Sequence, residues 1–98
     1  MIVKTHKTEN GKLILAVCDN DLIGKKIIDK DLQLDLSSNF YKGKEMSEEE
    51  AKRLFRYAYI INLAGKKAVG LALKEGLLNK KNILVIKNIP HAQILIES

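Results

Sequence analysis

The sequence predicts an α+β fold: a mainly antiparallel sheet with two helices, in the order β-β-β-α-α-β-β, over residues 1–98 as a single domain. Three observations carry the prediction. Apolar residues alternate with period two near both ends of the chain. A capped stretch, SEEEAKRLFRYAYIINLAG from Ser47 to Gly65, carries apolar residues at helical spacing. A second helical pattern follows it from Lys66 to Glu75.

Taken in order, residues 2–8 and 12–18 read as a hairpin, because Asn10-Gly11 supplies positive φ at low cost. In the second strand Leu13, Leu15 and Val17 face one way and Ile14, Ala16 and Cys18 the other. Both faces are apolar, so that strand should be central. The first strand, with Lys4, His6 and Lys7, suits an edge. Asp19-Asn20-Asp21 through Gly24 is turn chemistry. Leu32, Leu34 and Leu36 alternate with polar residues and read as a half-exposed strand, followed by a loop over 37–44.

Ser47 and Glu50 form a capping box, in which the hydroxyl and the carboxylate each satisfy an amide of the first turn. Ala51, Leu54, Phe55, Ala58 and Ile61 then give the expected Ser47–Ala64 helix one apolar face, and Gly65 can end it in the left-handed conformation. Asn62 falls on that buried stripe and therefore needs hydrogen-bond partners. Ile60 and Leu63 make the second half apolar nearly all round. That surplus points to self-association, a homodimer through Ile60 and Leu63, unless the second helix covers both. Ala68, Val69, Ala72 and Leu73 line the second helix, with Gly76 at its C-terminal cap. Ile83–Ile86 reads as a short buried strand, Asn88-Ile89-Pro90 as a break, and Ala92–Ile96 as the last strand.

A chain that is 46% apolar and 30% charged is globular rather than disordered in composition. No run approaches the ~18 apolar residues of a membrane span, and the start reads as a strand rather than a signal peptide. One cysteine makes no internal disulfide, which fits a reducing cytoplasm. The heavy use of Lys, Glu and Ile resembles thermophile composition, though an AT-rich genome gives the same bias.

Chemistry is sparse. Cys18 as nucleophile, His91 as base and Asp19 as orienter make the one enzymatic constellation, and their spacing does not say that they meet. The plainer reading is a small buried hydrophobe at Cys18 and a turn histidine at His91. No metal site is expected, since C-x-x-C and paired histidines are absent and the calcium-like start at Asp19 lacks its third ligand and closing glutamate. No cofactor is expected either. Gly24-Lys25-Lys26 and Gly65-Lys66-Lys67 lack the spacing of a phosphate loop, although a helix start can bind phosphate through free amides.

The net charge of +5 permits an acidic partner. The favoured reading is a non-catalytic binding module for RNA or a ribonucleoprotein. It rests on Phe40-Tyr41-Lys42-Gly43-Lys44 together with Lys25, Lys26, Lys66 and Lys67, since exposed aromatics stack on unpaired bases while lysines attract phosphate. A protein-interaction module is the main alternative. The RNA reading requires Tyr41 exposed, with the lysine pairs on its side of the molecule.

Several pieces together resemble an archaeal family known as domain of unknown function 424: LAVCDNDLIGK at 15–25, Phe40-Tyr41-x-Gly43, the SEEEAKRL helix start, Asn62-Leu63-x-Gly65 with Ala68, and Ile89-Pro90-His91-Ala92-Gln93. The likeness spans almost the whole chain. It implies a small archaeal cytosolic protein, and it implies no activity, cofactor or role for Cys18, Phe40, Tyr41, Asn62, Gly65 or His91.

Overall fold

The computed structural model of the chain describes residues 1–96. Along it run β1 (Ile2–Lys7), β2 (Leu13–Cys18), β3 (Lys26–Asp29), β4 (Leu32–Asp35), β5 (Lys44–Glu45), α1 (Glu48–Phe55), β6 (Ala58–Ala64), α2 (Lys66–Lys74), β7 (Leu84–Ile86) and β8 (Ile89–Leu95). Six strands form one sheet in the order β5-β1-β2-β6-β8-β7, and β3 and β4 form a separate hairpin. All pairs are antiparallel except β2 with β6. The α+β class therefore holds, but the helices are interleaved with strands rather than consecutive.

The main departure lies in the helix expected over Ser47–Ala64. Its start is as read: the Glu50 amide donates to the Ser47 hydroxyl, and the Ser47 amide donates to the Glu50 carboxylate, both at 3.2 Å. But α1 stops at Phe55, and Ala58–Ala64 is a strand. The reason is tertiary. β2 is apolar on both faces and needs a ladder on each edge; β1 supplies one and β6 the other, while β6 takes β8 on its far side. The aromatic and β-branched residues of Tyr57–Ile61 suit a pleated surface, and two ladders outweigh a local helical period. Ala51, Phe55, Ala58 and Ile61 are all buried in one core, so the spacing picked the buried positions while assigning the last two to the wrong element.

This correction moves three expected residues. Leu63 is 1% exposed, packed beneath the helices. Ile60 pairs with Ile14 on the opposite face of the sheet and is half-buried. The two form no common surface, so the motive for a dimer through them is gone. Asn62 lies on the Ile60 face, half-buried, opposite Gln93 and Ala16, rather than on a helix.

Smaller differences have local causes. β3 carries no visible alternation in the sequence because Ile27 and Ile28 are adjacent; Ile27 is buried and Ile28 exposed. β5 adds to the outside of β1, so β1 is not the sheet edge; Gly43 is needed there, since a Cβ would lie 2.0 Å from the Val3 carbonyl oxygen. β7 is an edge strand, with Leu84 and Val85 exposed rather than buried. The break near Pro90 is a two-residue hairpin turn at Lys87-Asn88, both at positive φ, and Pro90 itself lies within β8.

The sheet separates two cores. On one face Leu15, Val17, Ile61, Leu63 and Ile94 pack against Ala51 and Phe55 of α1 and Ala68, Leu71 and Ala72 of α2. On the other, Cys18, Ala64 and Ile86 lie beneath Leu22, Ile27, Leu34 and Leu36. No helix among the described residues is long and apolar enough to cross a membrane.

Candidate nucleic-acid interface

The aromatic loop does not offer its rings. Phe40 stacks on His6 with ring centroids 4.6 Å apart, and the His6 Nε2 lies 3.0 Å from the Phe40 carbonyl oxygen. Tyr41 is half-buried, edge-on to Phe40 and packed on the second core. Burial, with a smaller contribution from Cys18, pushes its hydroxyl up to about 12. The expectation of an exposed Tyr41 fails because its ring closes the core beneath it. Lys42 and Lys44, close to it in the chain, are exposed, and so are Lys25 and Lys26 at the base of the β3–β4 hairpin.

Lys66 and Lys67 are exposed too, but the amides of this helix start are not free for phosphate. The Asp19 carboxylate reaches across from the end of β2, accepting from the Lys67 amide at 3.0 Å and the Ala68 amide at 2.8 Å. It caps α2 with the negative charge that the dipole favours. Gly65 makes room: at φ +108°, any Cβ there would lie 2.3 Å from the Asp19 carboxyl carbon. Lys66 and Lys67 also border a cavity whose other walls include Asp21 and Glu45, so their field is largely offset.

The same geometry weakens the enzymatic constellation. Cys18 and His91 face the same side of the sheet, but Ala64 of β6 stands between them, which separates them by two strand spacings of roughly 5 Å each. Both Asp19 oxygens accept from α2, and no hydrogen bond joins Asp19 to His91 among the described residues. The Cys18 thiol is fully buried and donates to the Asp19 carbonyl at 3.4 Å. Burial first, then the charges of Asp19 and Asp21, pushes it up to about 12, so at neutral pH it is a thiol and a poor nucleophile. Burial also lowers His91, whose Nε2 is buried without a hydrogen-bond partner among the described residues. No three of the described His, Cys, Asp and Glu residues are placed to hold a metal ion.

These shifts carry a pH dependence. As pH rises from 9 towards 12 the unfolded chain loses protons that the folded chain keeps at Cys18 and Tyr41. Stability should therefore fall with rising pH, by about 1 kcal/mol between pH 9 and 10 from the thiol alone. Urea midpoints measured across this window should show it, with Cys18→Ala flattening the lower part of the fall and Tyr41→Phe the upper. An unchanged slope in Cys18→Ala contradicts the assignment.

Exposed aromatic and cationic groups do converge elsewhere, at the turn between α1 and β6. Phe55 is buried, the chain reverses at Arg56-Tyr57, and the Tyr57 side chain is left 76% exposed. At the start of β6, Leu13 pairs with Ala58 but Ile14 with Ile60, so Tyr59 is the extra residue of a β-bulge. Bulges of this kind re-aim a side chain out of the regular alternation. The Lys12 ammonium lies 4.1 Å from the centroid of the Tyr59 ring. Lys7, Lys12, Arg56, Tyr57 and Tyr59 line a cleft of about 500 Å³ with no carboxylate among its described lining residues. A groove of about 610 Å³ between α1 and the segment that follows α2 adjoins it, walled by Arg53, Arg56, Tyr57, Glu75 and Leu77.

Sequence reading missed this site because a continuous helix would have set Tyr57 and Tyr59 on different faces of one cylinder. The signal available was the tyrosine pair at i, i+2 beside Arg53 and Arg56, which a strand and turn bring to one end.

No curated protein matches the chain. A crystal structure of an uncharacterized conserved protein from Methanopyrus kandleri is similar, with a TM-score of 0.80 and 30% identity, covering 99% of this chain and 93% of that one. A family model described as "Protein of unknown function (DUF424)" matches residues 6–96, so the chain belongs to the DUF424 family, as the resemblance of its motifs implied.

Proposed function

We propose that this protein is a non-catalytic cytoplasmic module that binds RNA, alone or within a ribonucleoprotein, through the α1–β6 end rather than through the Tyr41 loop. The observation that carries the reading is Tyr57, a ring left standing in solvent beside a cleft with three cations and no carboxylate among its described lining. Such a pairing matches what single-stranded nucleic acid presents: unpaired bases that stack on an aromatic face and phosphates that attract cations. The overall charge of +5 acts in the same direction at longer range.

Fluorescence anisotropy with a labelled 12-nucleotide single-stranded RNA, titrated at several salt concentrations, tests the proposal. With Lys7, Lys12 and Arg56 each neutralising one phosphate, log K against log salt should fall with a slope of about −2. Tyr57→Ala should weaken binding by ~1–3 kcal/mol with that slope unchanged, because a stack carries no charge. Arg56→Gln should instead reduce the slope, and Tyr41→Phe should do neither. Absence of RNA binding at low salt, with proteins captured from native lysate regardless of ribonuclease treatment, would reject RNA in favour of a protein partner.

A further inference from the structure

The cleft and the groove share two lining residues, Arg56 and Tyr57, so the exposed tyrosine stands as a ridge between two concavities. Each concavity falls within the size that holds one small ligand, about 300–1,000 Å³. Their chemistry differs. The cleft carries Lys7, Lys12 and Arg56. In the groove, Lys52 lies 3.7 Å from Glu49 and 3.6 Å from Glu75, so one cation serves two carboxylates, and Arg53 and Arg56 supply the remaining positive charge. Phosphate is favoured in the cleft. In the groove, Glu75 and Glu49 can accept from base amino groups while Leu77 and Tyr57 offer apolar wall.

From this, and resting on the RNA reading above, we infer that the ligand is an internal single-stranded segment that crosses over Tyr57. Its phosphates lie in the cleft beside the bulge, one base stacks on the Tyr57 ridge, and the neighbouring nucleotide lies in the groove between α1 and the segment that follows α2. A duplex does not fit this arrangement, since its bases are stacked on each other and unavailable to a ridge-top ring. A mononucleotide fills only one concavity. The minimal ligand is therefore about three nucleotides, one for each concavity and one for the ridge.

Competition against the labelled 12-nucleotide RNA by unlabelled RNAs of one, two, three, four and six nucleotides, and by a 12-base-pair duplex, tests this. Affinity should climb steeply to three or four nucleotides, by about 30-fold or more over the mononucleotide, and then rise only slightly. The duplex should compete about tenfold less well than the single strand. Arg53 lines only the groove and Lys12 only the cleft. Arg53→Gln should thus weaken the tetranucleotide and spare the dinucleotide, whereas Lys12→Gln should weaken both. If the 12-nucleotide RNA binds but the mononucleotide or the duplex competes as well as the tetranucleotide, the crossing strand is wrong while RNA binding stands. If no RNA binds, both fall together.

Discussion

Alanine at position 65 should destabilise the protein by about 3–5 kcal/mol, a large part of the 5–15 kcal/mol typical of a folded domain. Gly65 sits at φ +108° and ψ 161°, a region essentially closed to side chains, and occupying it costs of order 1–3 kcal/mol. The added Cβ would also lie 2.3 Å from the Asp19 carboxyl carbon and 2.4 Å from its Oδ2. That carboxylate has nowhere to retreat, because its two oxygens hold the Lys67 and Ala68 amides. Nor can the backbone of residue 65 swing freely, since its amide donates to the Pro90 carbonyl at 2.8 Å and its carbonyl accepts from Val69 at 3.0 Å. Urea denaturation followed by circular dichroism should give a midpoint far below the parent's, and a midpoint within error of the parent would overturn the account.

Removing the carboxylate should have an effect nearly as large. Asp19→Ala takes away two charge-assisted hydrogen bonds and leaves the buried Ala68 amide without an acceptor, for a loss of about 2–4 kcal/mol. Asp19→Asn should fall between the two, because its side chain can accept from one amide while presenting an NH₂ to the other. The two sites are in contact, so their effects should not add. In the Asp19→Ala background the Cβ of Gly65→Ala no longer meets the carboxyl group and faces only the Cβ of residue 19, 2.7 Å away, so part of the clash is relieved and the double variant should be more stable than the summed losses imply by about 1 kcal/mol or more. Strict additivity would mean that the carboxyl group contributes nothing to the cost at Gly65.

Parts of the candidate site could be read in the sequence and parts could not. The abundance of cations was plain, and so was the presence of aromatic residues near them. Which rings reach solvent was not. Phe40 and Tyr41, adjacent in a polar loop, looked free, yet one stacks on His6 and the other closes a core formed by residues 18 to 86. Tyr57 and Tyr59 sat inside an apparently continuous helix, and it took a turn and a β-bulge to turn them to one cleft. The lysines after Gly65 lack the spacing of a phosphate loop but stand at a helix start whose amides could have been free, and only the approach of Asp19 from 48 residues away shows that those amides are already occupied.

By itself the sequence determined what depends on neighbours a few residues apart. The Ser47–Glu50 capping box, the first hairpin with Gly11 at positive φ after its Glu9-Asn10 turn, α2 with Gly76 beyond its end, and the α+β class all follow from short-range hydrogen bonding and hydrophobic period. The tertiary structure alone decided whether Ala58–Ala64 coils or extends. Ala51, Phe55, Ala58 and Ile61 satisfy a helical stripe, and Ile61 and Leu63 satisfy a strand equally well, so the local pattern was degenerate. What broke the degeneracy was β2, an apolar strand with an open edge, and β8 beyond it. Backbone groups on both edges of a central strand must be paired when buried, and that requirement is met by segments distant in the chain. The same long-range pairing placed Asp19 against α2, committed Leu63 to the core and left Tyr57 outside it.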